Sequence, residues 1–136
     1  MFGTTCSAMI IAPSILTADL SNLAVSCQEA IDAGINVLHL DVMDGNFVPN
    51  MTFGPPVIRS LRNALGDDVH FDAHLMISNA EECYMDYINA GCNHISVHVE
   101  ATTHLHRLVM AIRDAGATAG VVPVSYTHLR AHETLR

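Results

Sequence analysis

The amino-acid sequence predicts an α/β protein built on a parallel sheet, and three observations support this fold class. Short apolar runs, partly β-branched, alternate with longer segments whose apolar residues recur at the period of a helix. The predicted strands begin near residues 10, 37, 69, 94 and 118, at intervals of 24 to 32 residues. Each intervening helix is followed by glycine. This is the βαβ pattern, which requires parallel strands joined by right-handed crossovers.

The first elements are predicted in order from the N-terminus. Residues 10–15 are an apolar run that predicts a strand, and residues 20–33 carry apolar side chains at helical spacing. Asp19 or Ser21 can cap this helix, and Gly34 can end it in the left-handed conformation. Residues 37–43 predict the second strand. A loop rich in glycine and proline follows, and a helix over about residues 57–65 stops at Gly66.

The later elements repeat the same alternation. Residues 69–76 predict a third strand, and residues 78–81 open a third helix that runs to Ala90 and is closed by Gly91. Residues 94–99 predict a fourth strand. Residues 104–115 predict a fourth helix closed by Gly116, and residues 118–122 begin a fifth strand.

Two architectures fit this pattern: an open doubly wound sheet and part of a (β/α)8 barrel. No G-x-G-x-x-G turn follows the first strand, which weakens the dinucleotide-binding version of the open sheet. A whole barrel usually takes about 200 residues or more, so this chain could supply only about four and a half of the eight units.

Composition excludes several functional classes. Six basic residues against fourteen acidic ones give a net charge of −8, which argues against a nucleic-acid partner or an anionic membrane. The sequence has no lysine, so Schiff-base chemistry and a P-loop are excluded. No apolar run approaches the roughly 20 residues that span a bilayer. The four cysteines form no C-x-x-C pair, and we expect reduced thiols in a cytoplasmic protein rather than a zinc cage.

The strand at 37–43 carries the first chemical signal. Side chains alternate between the faces of a strand, so His39, Asp41 and Met43 share one face. A histidine and a carboxylate there need a metal, a proton partner or a ligand, because both faces of a strand in an α/β protein are normally apolar. A satisfied His–Asp pair in the core is the alternative interpretation.

The third strand repeats the pattern with His70, Asp72, His74 and Met76 on one face. Neighbouring strands would bring His39, Asp41 and His74 together. Two imidazoles and a carboxylate suit one divalent zinc, iron, manganese or cobalt ion better than calcium or magnesium. Asp72 lies deeper on that face and is predicted to support the ligands or the structure rather than to bind the ion.

Four further polar residues lie on the other predicted strands. His94, Ser96 and His98 share a face of the fourth strand, and His98 reaches the same rim as His74. His98 either contacts substrate or is a buried, hydrogen-bonded histidine. Ser14, at the end of the first strand, can donate a hydrogen bond into the rim, but no base at a fixed spacing makes it a nucleophile.

Six sequence runs lie in order between about residues 11 and 122: 12–16 (APSIL), 38–45 (LHLDVMDG), 47–50 (FVPN), 53–55 (FGP), 71–76 (FDAHLM) and 98–102 (HVEAT). In sequence and in spacing, these runs resemble the ribulose-phosphate 3-epimerase family. The block His-x-Asp-x-Met-Asp-Gly is the most specific of them.

The resemblance implies a (β/α)8 barrel that interconverts D-ribulose 5-phosphate and D-xylulose 5-phosphate at C3 through a metal-stabilised enediolate. Residues 1–122 would be the N-terminal half of that barrel. By similarity, His39, Asp41 and His74 bind the divalent metal, and Asp41 is also an acid/base group. The implied substrate contacts are Ser14, His74, Met43 and Met76.

The sequence departs from the family pattern beyond residue 122. The Asp-Gly-Gly motif, which carries the family's second acid/base aspartate, does not occur. Residues 123–136 fit neither a fifth strand nor its loop, and we interpret them as a non-family, artefactual tail. We therefore expect this chain to be inactive alone, and to form homo-oligomers or self-associate through unpaired sheet edges.

Three alternative functions stay open on the sequence. A related epimerase acting on a six-carbon ketose phosphate is the nearest, since the discriminating pocket would lie in loops that this sequence lacks. A metal-dependent hydrolase could use the same three residues to activate water. A non-catalytic, metal-binding fragment is the third.

Overall fold

The computed structural model describes residues 9–123, and within them a four-stranded parallel sheet is formed. The strands are β1 (Val37–Met43), β2 (His70–Met76), β3 (His94–His98) and β4 (Thr118–Val122). They lie side by side in sequence order, β1-β2-β3-β4, and every neighbouring pair is parallel. A sequential order is that of a barrel, whereas a doubly wound sheet reverses its order at a switch point. The sheet is therefore the start of a (β/α)8 barrel, as predicted.

Four helices alternate with the strands: α1 (Leu23–Asp32), α2 (Pro55–Leu65), α3 (Ala80–Asn89) and α4 (Leu105–Asp114). Two of them begin elsewhere than predicted. A separate 3₁₀ turn, Leu20–Asn22, precedes α1, and the Asp19 carboxylate caps that turn by accepting from the Ser21 N–H at 2.9 Å. Helix α2 begins two residues early, because Pro55 and Pro56 occupy its first turn, where the absence of an N–H costs nothing.

The prediction of a strand at residues 10–15 is wrong. Only Ser14 makes an isolated parallel bridge, to His39, and the Pro13 carbonyl accepts the His39 N–H at 2.9 Å. Pro13 has no N–H to extend this pairing. Ile10 and Ile11 are 73% and 63% exposed, so most of their apolar surface is left uncovered by the described residues.

The two faces of the sheet differ in chemistry, and this difference positions the site. Alternate residues of β1 and β2 are buried in an apolar core shared with the helices. The intervening residues, including the polar ones predicted from the period-2 pattern, are half-buried on the opposite face. That face corresponds to the barrel interior. On the opposite, helix-facing side of β1 and β2, the buried apolar side chains are Leu38, Leu40, Val42, Phe71, Ala73 and Leu75.

The guanidinium of Arg62, on α2, forms hydrogen bonds with the segments that precede β2 and β3. It donates to the carbonyls of Gly66 and Val69, both at 2.8 Å, and to the carbonyl of Gly91 at 2.7 Å. It also donates to Asn93 Oδ1 at 2.9 Å. Gly91 has a φ of +108°, and a Cβ there would lie 2.8 Å from the Arg62 side chain, so glycine is required on two counts.

Within residues 9–123, no helix combines the length and the hydrophobicity needed to cross a bilayer.

Candidate metal centre

The register of β1 and β2 brings the predicted site residues together. Asp41 is paired with His74, and Met43 with Met76, one step nearer the C-terminal ends of the same strands. His39 is paired with Asp72. Because paired residues of parallel strands present side chains to the same face, all six point toward the barrel interior.

Three side chains form a compact group of electron-pair donors near the C-terminal ends of β1 and β2. Asp41 Oδ1 lies 3.2 Å from His39 Nε2 and 3.3 Å from His74 Nδ1. One ligand atom from each residue lies within 4.8 Å of the others. The side chains are 27%, 16% and 17% exposed for His39, Asp41 and His74, so the group is largely shielded yet reachable from the barrel interior.

This group fits a first-row divalent ion on its own chemistry. Ligands bonded to one tetrahedral ion at about 2.0–2.2 Å lie roughly 3.3 Å from one another, close to the separations found here. Two imidazoles and one carboxylate are a donor set of zinc, iron, manganese or cobalt sites. His39, Asp41 and His74 could therefore hold a metal ion.

Asp72 fixes the orientation of His39. Its Oδ2 lies 2.9 Å from His39 Nδ1, so the Nδ1–H donates to the carboxylate and Nε2 faces Asp41. The hydrogen bond to Asp72 raises the pKa of His39, although burial opposes it, and the same bond lowers the pKa of Asp72. A carboxylate behind a ligand histidine increases its basicity. Asp72 thus supports the group without joining it, which agrees with its predicted role.

His98 contacts His74 from the other side. The two Nε2 atoms lie 2.7 Å apart, and the rings are stacked with centroids at 4.8 Å. The Phe47 ring also contacts the His98 ring, with centroids 5.1 Å apart. Burial lowers the pKa of both imidazoles, so both are held neutral near pH 7. Of the two roles that the sequence leaves open for His98, the structure shows a buried neighbour of the group.

Ser14 completes the surroundings of Asp41. Its hydroxyl donates to Asp41 Oδ2 at 2.5 Å and accepts the Leu16 N–H at 3.3 Å. The carboxylate therefore uses its two oxygens differently, since Oδ1 faces the histidines and Oδ2 faces the hydroxyl. Ser14 reaches the group even though the predicted first strand does not form.

The loop after β1 holds functional contacts that sequence reasoning missed. Thr52 Oγ1 accepts the Met43 N–H at 3.0 Å and donates to the Asp41 carbonyl at 2.8 Å, which fixes the backbone below the group. Asp44 joins this loop to Ser78 in the loop after β2. The Met-Asp-Gly motif marked the position of Asp44, but no local pattern identified its partner, 34 residues away.

Other histidines lie apart from the group. His94 contacts Thr118 at 2.6 Å and Ser96 at 3.1 Å, deeper on the sheet, and its nearest approach to Asp72 is 4.0 Å. His104 and His106 are exposed at the start of α4. The tail assigned to residues 123–136 lies outside the described residues, apart from residue 123.

Comparison with known proteins identifies the family to which this chain is similar. The model of the ribulose-phosphate 3 epimerase family matches residues 10–136. The ribulose-phosphate 3-epimerase of Treponema pallidum (strain Nichols) is 43% identical over 121 residues, or 89% of this chain and 55% of the relative. That of Escherichia coli (strain K12) is 42% identical over 122 residues, covering 86% and 54%.

A plant relative gives a similar result. The chloroplastic ribulose-5-phosphate-3-epimerase of Arabidopsis thaliana is 45% identical over 129 residues, or 93% of this chain and 45% of the relative. The chain thus spans about half the length of these relatives. The family match includes residues 123–136, and the artefactual origin of that segment stays a prediction. With half a barrel, a His-Asp-His group at its strand ends and these matches, the chain belongs to the ribulose-phosphate 3-epimerase family.

Proposed function

We propose that this chain carries the metal-binding part of an active site that epimerises D-ribulose 5-phosphate and D-xylulose 5-phosphate at C3. The observation that carries the proposal is the convergence of His39 Nε2, Asp41 Oδ1 and His74 Nδ1 at the strand ends. Active sites of (β/α)8 barrels lie at this end of the sheet. Sugar phosphates are the substrates of the family.

The same three residues would hold the divalent ion. When bound, it supplies positive charge that stabilises the negative charge developing on the substrate oxygens as C3 loses its proton. His39 presents its Nε2 lone pair because Asp72 binds the opposite nitrogen. Iron, zinc, manganese and cobalt all suit this donor set.

Asp41 is the proposed acid/base group for the C3 proton. Its Oδ2 is not part of the His-Asp-His group and is held by the Ser14 hydroxyl at 2.5 Å, which orients the carboxylate. Inversion needs a proton removed from one face of C3 and another returned on the opposite face. Asp41 provides one of these two transfers.

Substrate contacts are proposed for Ser14, His74, Met43 and Met76. The two methionines are paired across β1 and β2, one step beyond Asp41 and His74, and both are half-buried. Their polarisable thioethers give an apolar wall beside the reacting carbon without competing for its proton. Such a wall keeps water from the carbanion-like carbon.

A cytoplasmic location also remains a proposal. Cys27, Cys83 and Cys92 are free thiols in the described part of the chain, as in a reducing compartment.

Exchange of the C3 hydrogen for solvent deuterium tests the proposed chemistry. With ribulose 5-phosphate and added Zn²⁺, Mn²⁺ or Co²⁺, we expect the 136-residue chain to exchange this hydrogen slowly, with little net inversion. Asp41→Asn should abolish the exchange, whereas Asp114→Asn, which removes the same charge from an exposed position, should not. Exchange no faster than with the metal alone would contradict the role of Asp41.

One further variant and one further substrate extend this assay. Ser14→Ala is expected to slow the exchange while leaving metal affinity within a few-fold, which separates proton transfer from metal binding. A six-carbon ketose phosphate run in parallel tests the alternative substrate, and faster exchange with it would replace the five-carbon sugar in the proposal.

A further inference from the structure

His98 is a buried histidine with one polar partner. Its side chain lies at the end of β3, with the residue only 6% exposed. Its Nε2 contacts His74, and its Nδ1 is buried without a hydrogen-bond partner in the described part of the chain. An apolar ring would fill this space without the cost of burying an imidazole. The polar function of His98 is therefore directed at His74.

The short contact between the two rings requires a hydrogen bond between their Nε2 atoms. Two lone pairs cannot approach to 2.7 Å, so one Nε2 carries a hydrogen and the other accepts it. If His98 were the donor, the hydrogen of a neutral His74 would lie on Nδ1 and would point at Asp41. If His74 is the donor, its Nδ1 is free of hydrogen and presents a lone pair.

The distances distinguish these two assignments. His74 Nδ1 lies 3.3 Å from Asp41 Oδ1, longer than the 2.9 Å between His39 Nδ1 and Asp72 Oδ2. A protonated nitrogen facing a carboxylate is expected at about 2.7–2.9 Å. The long contact at Nδ1 and the short one at Nε2 together favour the tautomer of His74 that carries its hydrogen on Nε2.

We propose that His98 is a positioning residue: its Nε2 accepts the Nε2–H of His74 and so keeps the Nδ1 lone pair of His74 directed at the metal position. This inference rests on the proposed function. Each histidine of the group then has its own orienting partner. Asp72 accepts a hydrogen bond from His39, and His98 accepts one from His74. Phe47 also contacts the His98 ring.

Zinc titration of the metal-free 136-residue chain tests the proposal with two matched substitutions. His98→Phe keeps an aromatic ring in contact with Phe47 and His74 but removes the acceptor, and we expect zinc affinity to fall about 10–100-fold. His98→Gln loses the ring but can place an amide oxygen near the position of Nε2, and we expect affinity within a few-fold of the unsubstituted chain. Simple packing by His98 predicts the opposite order, and that order would overturn the proposal.

The tautomer of His74 gives a second readout that needs no metal. In ¹⁵N–¹H imidazole spectra at about pH 8, where the ring is neutral, we expect His74 to be protonated on Nε2 in the unsubstituted chain and in His98→Gln. In His98→Phe, the Nδ1–H form should gain population. His98→Asn, whose amide reaches only the position of Nδ1, should behave like His98→Phe and replaces it if the phenylalanine variant does not fold.

The outcomes separate the two proposals. An unsubstituted chain that binds no zinc contradicts the proposed function, and the tautomer of His74 then still decides the role of His98. Zinc binding that is equal in all variants, or a hydrogen found on Nδ1 of His74 in the unsubstituted chain, overturns the inference about His98 alone.

Discussion

Replacing Asp44 by asparagine is expected to loosen the contact between the loops that follow β1 and β2. Asp44 Oδ1 accepts the N–H groups of Asn46 and Phe47, both at 2.8 Å. Its Oδ2 accepts the N–H of Ser78 at 2.8 Å and its hydroxyl at 2.9 Å. An amide has one acceptor oxygen and an NH₂ group, so either pair of donors loses its partner.

The structure sets the size of this effect. Desolvation opposes ionisation of Asp44, but the hydrogen bonds from Ser78, Asn46 and Phe47 outweigh it and lower its pKa to about 2 from 3.8. Asp44 is half-exposed, so solvent screening reduces the corresponding free energy. Two lost hydrogen bonds to a screened carboxylate give a loss of unfolding free energy of about 1–2 kcal/mol near neutral pH.

The sign of the pH dependence follows from the lowered pKa. A carboxyl group whose pKa is depressed by folding stabilises the protein above its unfolded pKa, about 4, and loses this contribution as the pH falls through about 2. The difference in unfolding free energy between the unsubstituted chain and Asp44→Asn should therefore be full above about pH 5 and shrink below about pH 4.

Urea unfolding followed by circular dichroism between about pH 2 and 7 measures this difference. Asp114→Asn, which removes an exposed charge at the end of α4, is the control and should leave the profile unchanged. Ser78→Ala removes only the hydroxyl donor and should give a smaller loss than Asp44→Asn. A difference for Asp44→Asn that is absent, or that grows as the pH falls, would refute the reasoning.

The proximity of the three polar residues could be predicted from the sequence more reliably than the backbone structure around them. His39, Asp41 and His74 were found because the period-2 pattern fixes their face and parallel pairing fixes their proximity. The strand at residues 10–15 was predicted from apolarity alone, but Pro13 cannot continue a ladder, and Ile10 and Ile11 stay mostly exposed among the described residues while only Ile15 is buried. Apolar runs report burial potential, not the presence of a neighbouring strand.

Polar contacts between residues far apart in the sequence could not be predicted, because no local sequence pattern indicates them. Arg62 contacts Asn93, which lies 31 residues away, and Asp44 contacts Ser78 at a separation of 34. Neither pair belongs to a periodic pattern, since each joins a helix or a loop to a separate loop. His98 is intermediate: its face was predicted from alternation, but its pairing with His74 depends on ring orientations that only the folded structure fixes.

The remaining predictions concern stability, turnover and assembly. Arg62→Met removes four hydrogen bonds, although Asn93 Oδ1 still accepts the Phe71 N–H, and should lower the unfolding free energy by about 2–4 kcal/mol in urea titrations, whereas a loss below about 0.5 kcal/mol would contradict the role of this guanidinium. The 136-residue chain alone should not epimerise ribulose 5-phosphate measurably in a coupled assay, because the Asp-Gly-Gly motif is absent; turnover in a preparation free of host enzyme would contradict this. The purified chain should self-associate through the outer edges of the described sheet, β1 and β4, and sedimentation of a monodisperse monomer would argue against that.

Metal binding by the His-Asp-His group is the central claim, and metal stoichiometry after equilibrium dialysis tests it most directly. The folded chain is expected to retain one zinc or cobalt ion per molecule, and His74→Ala or His39→Ala should lose it. His106→Ala, which removes an exposed histidine from α4, should retain it. Binding that survives the loss of His39 and of His74, or that is absent from the unsubstituted folded chain, would contradict the account.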